Sequence, residues 1–147
     1  MRWLILSIGK PKLAYAKAGL DEYAKRLVAY APVELAALKA GERGQESAAL
    51  LERSEGHFRI VLDERGEQIT SKELAAKISG WEQSRVKSVA LLIGGADGHT
   101  DALRAQAGWC WSLSRLTLQH ELALVLALEQ IYRGYSIKAG APYHREG

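Results

Sequence analysis

The apolar run Ser88–Ile93 empties directly into Gly94-Gly95-Ala96-Asp97-Gly98. Glycines at the end of a strand let main-chain N–H and C=O groups approach a ligand closely. Parallel α/β proteins bind their ligands outside the carboxyl ends of strands, so the chemistry such a loop serves is the holding of a nucleotide-like molecule. No Gly-Lys-Ser/Thr follows, so this is not a P-loop. Nor is it a dinucleotide fingerprint, which belongs after the first strand, where this chain has Ser7-Ile8-Gly9-Lys10-Pro11. A glycine-rich turn is also a common structural device, and the motif alone leaves both readings open.

Three further groups of residues could act with this loop. Ser112-Leu113-Ser114-Arg115-Leu116-Thr117-Leu118-Gln119-His120-Glu121 alternates small polar and apolar side chains before a long helical run, and could equally be a turn that caps that helix. Glu129 and Arg133 stand at helical i, i+4 spacing, where a surface ion pair is the ordinary reading; on a helix this apolar, a functional position is expected. The ending Pro142-Tyr143-His144-Arg145-Glu146-Gly147 sets an aromatic ring, an imidazole and a guanidinium side by side, a trio able to stack on a base and pair with phosphate. A frayed, solvated terminus explains it as well. The lone Cys110, between Trp109 and Trp111, excludes an internal disulfide and reads as a packed thiol. His57, His99, His120 and His144 show no metal-binding spacing.

The elements that must position these groups alternate between strand-like and helix-like runs. Strands are expected at Arg2–Gly9, Val33–Leu38, Phe58–Leu62, Ser88–Ile93 and around Trp109–Leu113, with a turn over Asp63–Glu67. Helices are expected at Lys12–Tyr30, Glu42–Glu55, Thr70 to Ser84, Asp101–Ala107 and Glu121–Ser136. Thr70-Ser71-Lys72-Glu73 reads as a capping box, and Gly41 and Gly44 suggest a mobile entry turn. Ser112–His120 fits neither period. No linker or repeat divides the chain, so residues 1–147 are expected to form one parallel-sheet α/β domain. With 48% hydrophobic and 25% charged residues, and no apolar run of roughly 18 residues, a membrane-spanning or disordered chain is excluded and a cytoplasmic one expected. The net charge of +3 permits a polyanionic partner. Leu122, Leu124, Val125, Leu126, Leu128, Ile131, Tyr132 and Tyr135 leave the last helix only a narrow polar face. Part of that surface is expected to meet a second subunit in a two-fold homodimer.

Leu91-Leu92-Ile93-Gly94-Gly95-x-x-Gly98, Trp111-Ser112-Leu113-Ser114-x-Leu116-Thr117-Leu118-x-His120, Glu129-Gln130-x-Tyr132-Arg133 and Pro142-Tyr143-His144-Arg145-Glu146 occur in that order. Together they closely resemble the large-subunit rRNA methyltransferase H family of the SPOUT superfamily. Arg2–Gly9, Tyr23-Ala24-Lys25-Arg26 and Gly41-Glu42-Arg43-Gly44 resemble its amino half, so the likeness covers nearly the whole chain. It implies a parallel sheet flanked by helices with a carboxyl-terminal trefoil knot, holding S-adenosylmethionine in a bent shape. The cofactor contacts carried over are Leu62, the glycine loop at Gly94, Gly95 and Gly98, and Ser114, Arg115, Leu116, Thr117, Leu118 and Gln119, made mostly through the backbone. Two departures stand out: Ala96 and Asp97 replace a common proline and glutamate, and Gln119 and Glu121 replace prolines on either side of His120.

The reaction implied is methyl transfer to N3 of a pseudouridine in the helix-69 stem-loop of 23S rRNA, on the assembled ribosome, with no DNA or membrane partner. An imide nitrogen attacks well only after losing its proton, so a proton acceptor or cationic groups are needed. The candidates are His120, Arg133, Tyr143, His144 and Arg145: Arg133 and Arg145 for charge and phosphate, Tyr143 for stacking, His120 or His144 for the proton. The rivals are a SPOUT enzyme acting on tRNA or a ribose hydroxyl, and a ribosome-binding assembly factor without methyl transfer.

Overall fold

The computed structural model describes residues 1–145, the last two of these for the main chain only. Five strands form one all-parallel sheet: β1 (Arg2–Ile8), β2 (Val33–Leu38), β3 (Phe58–Glu67), β4 (Ser88–Ile93) and β5 (Trp109–Trp111), in the order β2-β1-β4-β3-β5. The two-residue period of a strand sends alternate side chains to opposite faces. Trp3 and Ile5 of β1, with Val89, Leu91 and Ile93 of β4, enter one core; Leu4, Leu6 and Ile8, with Ala90 and Leu92, enter the other. A strand buried on both faces needs a nearly continuous apolar sequence, which is what Ser88–Ile93 supplies.

The helices α1 (Ala14–Leu27), α3 (Ser71–Gln83) and α5 (His120–Ala139) cover the first core, and α2 (Arg43–Arg53) and the short α4 (Asp101–Ala105) the second. The capping box expected at Thr70 is present: Thr70 Oγ1 accepts from the Glu73 N–H, and the Glu73 carboxylate accepts from the Thr70 N–H, both at 3.1 Å. The turn at Gly41 and Gly44 is held by bonds. Glu42 caps α2 in a second capping box with Gln45, and the Gly41 N–H donates to Glu46 Oε2 at 3.0 Å.

Two elements differ from expectation. Strand β3 does not end at Leu62: both Leu62 and Glu67 pair with Trp111, so Asp63–Gly66 bulges out of the ladder and the strand resumes at Glu67. Turn-forming residues make the bulge, the Arg65 N–H donating to Asp63 Oδ1 at 2.9 Å. Pairing resumes because the Ser112 N–H donates to the Glu67 carbonyl and the Trp109 indole to its carboxylate, each at 2.9 Å. Helix α5 runs three residues beyond Ser136 to Ala139, and Gly140, with φ of 68°, closes it in the left-handed region. It packs against both α1 and α3, and of its large apolar side chains only Leu126, at 37%, stays exposed. Most of the surface that pointed to a second subunit is therefore covered within the chain.

The bulge brings β3 so close to β5 that a Cβ at Gly66 would lie 2.6 Å from the backbone of Cys110 and Trp111. Backbone cannot retreat as a side chain does. Gly66→Ala is expected to cost roughly 1–3 kcal/mol in urea unfolding, an overpacking penalty, and an unchanged midpoint would show that the bulge has room.

Candidate functional site

The parallel strands all point their carboxyl ends to one edge of the sheet, and a cleft of about 260 Å³ opens there. Leu62 and Asp63 at the end of β3, Gly94, Gly95 and Gly98 after β4, and Leu113, Ser114, Leu116, Thr117, Leu118 and His120 before and at the start of α5 all line it. Three segments distant in sequence thus form one wall. Of the residues expected to hold the cofactor, Arg115 and Gln119 are not on the lining. Gln119 caps α5 instead, its Oε1 accepting the N–H groups of Glu121 and Leu122 at 2.8 and 3.0 Å.

Each wall is fixed by local bonds. The glycine loop turns tightly, with the Gly98 N–H donating to the Gly95 carbonyl at 3.1 Å and Gly98 at φ 72°. A Cβ on Gly94 would lie 3.1 Å from the His99 ring, and one on Gly95 would lie 3.1 Å from Glu46 Oε1. A side chain at either position would have to displace its neighbour. In the segment before α5 the hydroxyls shape the backbone: Ser112 donates to the Ser114 carbonyl, Ser114 accepts from the Leu116 N–H, and Thr117 donates to Glu64 of the bulge. Glu121 ties the start of α5 to the loop after β1, accepting the N–H groups of Lys12 and Leu13 at 2.7 and 3.0 Å. Those two bonds, the one from Leu13 foremost, hold its carboxyl below the usual glutamate range.

The cleft also contains groups that the motifs did not reveal. Arg104 donates to Asp63 Oδ2 at 3.1 Å and to the His99 carbonyl at 2.8 Å, and it also pairs with Asp101. This pair pins the bulge of β3 to α4. His99 is 3% exposed, and neither ring nitrogen has a hydrogen-bond partner. Burial pushes its imidazole below the ordinary histidine value, against the opposing pull of Asp63 and the carbonyls of Leu92 and Leu62. Its position directly after Gly98 was the available signal. Cys110 is half-buried against the second core, and burial pushes its thiol up, which suits packing rather than nucleophilic chemistry.

Of the residues expected to work on the substrate, Arg133 and Tyr143 come together and His120 stands apart from them. His120 lines the cleft, whereas Arg133 stands thirteen residues further along α5, roughly 20 Å away at the helical rise. Arg133 binds Glu129 through Nε and Nη2 at 2.9 and 2.7 Å, and Tyr143 sits beside that pair. The side chains of His144 and Arg145 lie outside the described residues. Among those residues no helix is long and apolar enough to cross a membrane, and no group of three His, Cys, Asp or Glu side chains is placed to hold a metal.

The fold is similar to those of solved structures. A probable methylase family protein from Haemophilus influenzae superposes with a TM-score of 0.60 at 9% identity, over 96% of this chain and 68% of that one. The tRNA (m1G37) methyltransferase from Aquifex aeolicus gives 0.52 at 14% identity, over 90% and 69%. The family profile described as "Predicted SPOUT methyltransferase" matches residues 1–144. The Ribosomal RNA large subunit methyltransferase H of Thermus thermophilus is 48% identical over 145 residues, 99% of each chain. That of Deinococcus radiodurans is 43% identical over the same share. The chain belongs to the SPOUT methyltransferases and, within them, to the large-subunit rRNA methyltransferase H family.

The depressed pKa of His99 makes stability depend on pH. Below about pH 6.5 the unfolded chain takes up a proton that the buried ring refuses, so this contribution is whole above that value and is lost as pH falls towards the folded pKa. His99→Leu keeps the volume and removes the proton. Urea unfolding at about pH 7.5 and about pH 5.5 should show a smaller acid loss of stability in the variant than in the parent. Equal losses in both proteins would mean that the imidazole titrates freely in the native state.

Proposed function

We propose that this chain transfers a methyl group from S-adenosylmethionine to N3 of a pseudouridine in the helix-69 stem-loop of 23S rRNA, acting on the assembled ribosome in the cytoplasm. The observation that carries the reading is the convergence of Leu62, Gly95 and the Ser114–Leu118 segment on one cleft at the carboxyl edge of the sheet, in a chain 48% identical over nearly its full length to a Ribosomal RNA large subunit methyltransferase H. We take residues 1–147 as one domain, with the passage from β4 to α5 forming a trefoil knot, and we assign it neither a DNA nor a membrane partner.

The cleft fits such a cofactor in that Gly94 and Gly95, where a Cβ would crowd His99 or Glu46, keep its wall after β4 free of side chains. When bound, S-adenosylmethionine supplies an electrophilic methyl group on its sulfonium. The protein's work is alignment: Leu62, Gly95 and Leu116–Leu118 would hold the donor, and the apolar Leu62, Ile93 and Leu113 would keep water from it. To His120, which lines the cleft at the start of α5, or to His144 of the tail, we assign the N3 proton.

The tail and the cleft of one chain stand at different points along α5. We assign the chain to a two-fold homodimer in which the tail of one subunit serves the cleft of the other. Leu116, exposed at 73%, Tyr15 at 53% and Leu126 at 37% supply apolar surface near the start of α5 for that contact. Light scattering at micromolar concentration should give twice the chain mass of 16.2 kDa; a stable monomer would remove this arrangement.

Labelled S-adenosylmethionine, incubated with the protein and with ribosomes from cells lacking the enzyme, should place one methyl group on the 23S rRNA. Incorporation into tRNA or a ribose hydroxyl would redirect the substrate, and cofactor binding without incorporation would leave an assembly factor. Gly95→Val should abolish cofactor binding in calorimetry, with a melting-point loss of only a few degrees as the side chain presses on Glu46. Unchanged affinity would move the cofactor elsewhere.

A further inference from the structure

We infer that Tyr23, Glu129 and Arg133 form a socket that seats Tyr143, making them positioning residues for the carboxyl-terminal tail. This deepens the proposed rRNA methylation and rests on it for the tail's use, while the seating stands on geometry alone.

The tail turns back on its helix. Gly140 closes α5, the Ala141 N–H donates to the Ser136 carbonyl at 3.0 Å, and Pro142–Arg145 forms a 3-10 turn that lies against α5. Tyr143 thereby reaches Glu129, more than two turns back. Its hydroxyl is 3.1 Å from Glu129 Oε1 and 3.0 Å from the Tyr23 hydroxyl of α1. A carboxylate can only accept, so Tyr143 donates to Glu129 and Tyr23 donates to Tyr143. The ring stands edge-to-face on Tyr132 with centroids 4.8 Å apart. The guanidiniums of Arg133 and Arg26 lie 4.9 and 5.6 Å from its centroid. Burial pushes the phenol pKa up, with Tyr23 and Glu129 adding to the effect, so the donor keeps its proton.

Glu129 is the hub. Its Oε1 accepts from Arg133 Nε, Arg133 Nη2 and Tyr143, and its Oε2 accepts from Gln130, whose own Oε1 accepts from Ser71 of α3. The pair is largely buried, with Glu129 at 14% and Arg133 at 18% exposure, and a buried pair is weak support for stability by itself. What it supports here is the tail. The spacing Glu129-x-x-Tyr132-Arg133 places all three side chains on the helical face that meets Tyr143. Tyr143, engaged at its hydroxyl, its edge and its face, is a peg and not a free stacking platform. Contact with RNA then passes to the residues that follow it.

The test uses the full chain with Tyr143→Phe, Tyr23→Phe, Glu129→Gln and Glu129→Ala. Hydrogen exchange of the Tyr143–Arg145 amides should quicken in each variant, while cofactor affinity stays within about twofold. Methyl transfer to ribosomes should lose about tenfold in kcat from Tyr143→Phe, the scale of a hydrogen bond to a charged group, with little change in KM. Glu129→Gln, which still accepts, should retain more activity than Glu129→Ala. Parental exchange and parental kcat in Tyr143→Phe would overturn the proposal, as would cofactor affinity falling in step with activity. If the parent methylates no rRNA, the proposed function fails, and the exchange rates alone decide whether the socket seats the tail.

Discussion

Burial of the central strand pair on both faces constrains everything else in this molecule. β1 and β4 lie side by side with six residues in register, and both faces of the pair are sealed, one by α1, α3 and α5 and the other by α2 and α4. Unpaired main-chain groups then remain only at the strand ends, and the carboxyl ends carry the loops that can bend away from the helices. The cleft sits at that edge because the faces of the central strands are sealed by helices. The tight glycine loop follows from the same cause, since β4 leaves the core at Ile93 and the chain must turn at once over the buried His99.

The bulge in β3 is the second device. A regular strand would carry Asp63–Arg65 straight along β5; the shift between Leu62 and Glu67 throws those residues towards the cleft instead. Asp63 then meets Arg104 of α4, and Glu64 meets Thr117 of the segment before α5. Three loops that a nucleotide-like ligand would touch are thus joined by side-chain bonds before any ligand arrives, which lowers the ordering cost of binding.

Helix α5 divides the chemistry. Its first turn, capped by Gln119 and tied to the β1–α1 loop by Glu121, belongs to the cleft. Its middle, through Glu129 and Arg133, belongs to the tail. A rigid helix holds the two at a fixed separation along one chain. The same helix is apolar nearly all round because it serves as the floor of the first core and as a partner for two other helices.

Much of this was legible in the sequence, element by element. The two-residue alternation of Arg2–Ile8, the unbroken apolar run of Ser88–Ile93, the Thr70 capping box and the glycine loop are local signals, because short-range sterics and hydrogen bonding decide them. The ordered motifs from Gly94 to Arg145 carried the family. Tertiary structure alone decided the resumption of β3 at Glu67, since that pairing depends on Trp109 and Ser112, more than forty residues away. It alone showed His99 and Arg104 in the cleft, because burial and ion pairing are properties of neighbours and not of residue types. It also separated His120 from Arg133 and Tyr143. Their motifs read as one catalytic group along the chain, but the 1.5 Å rise of a helix turns thirteen residues into roughly 20 Å of rigid distance.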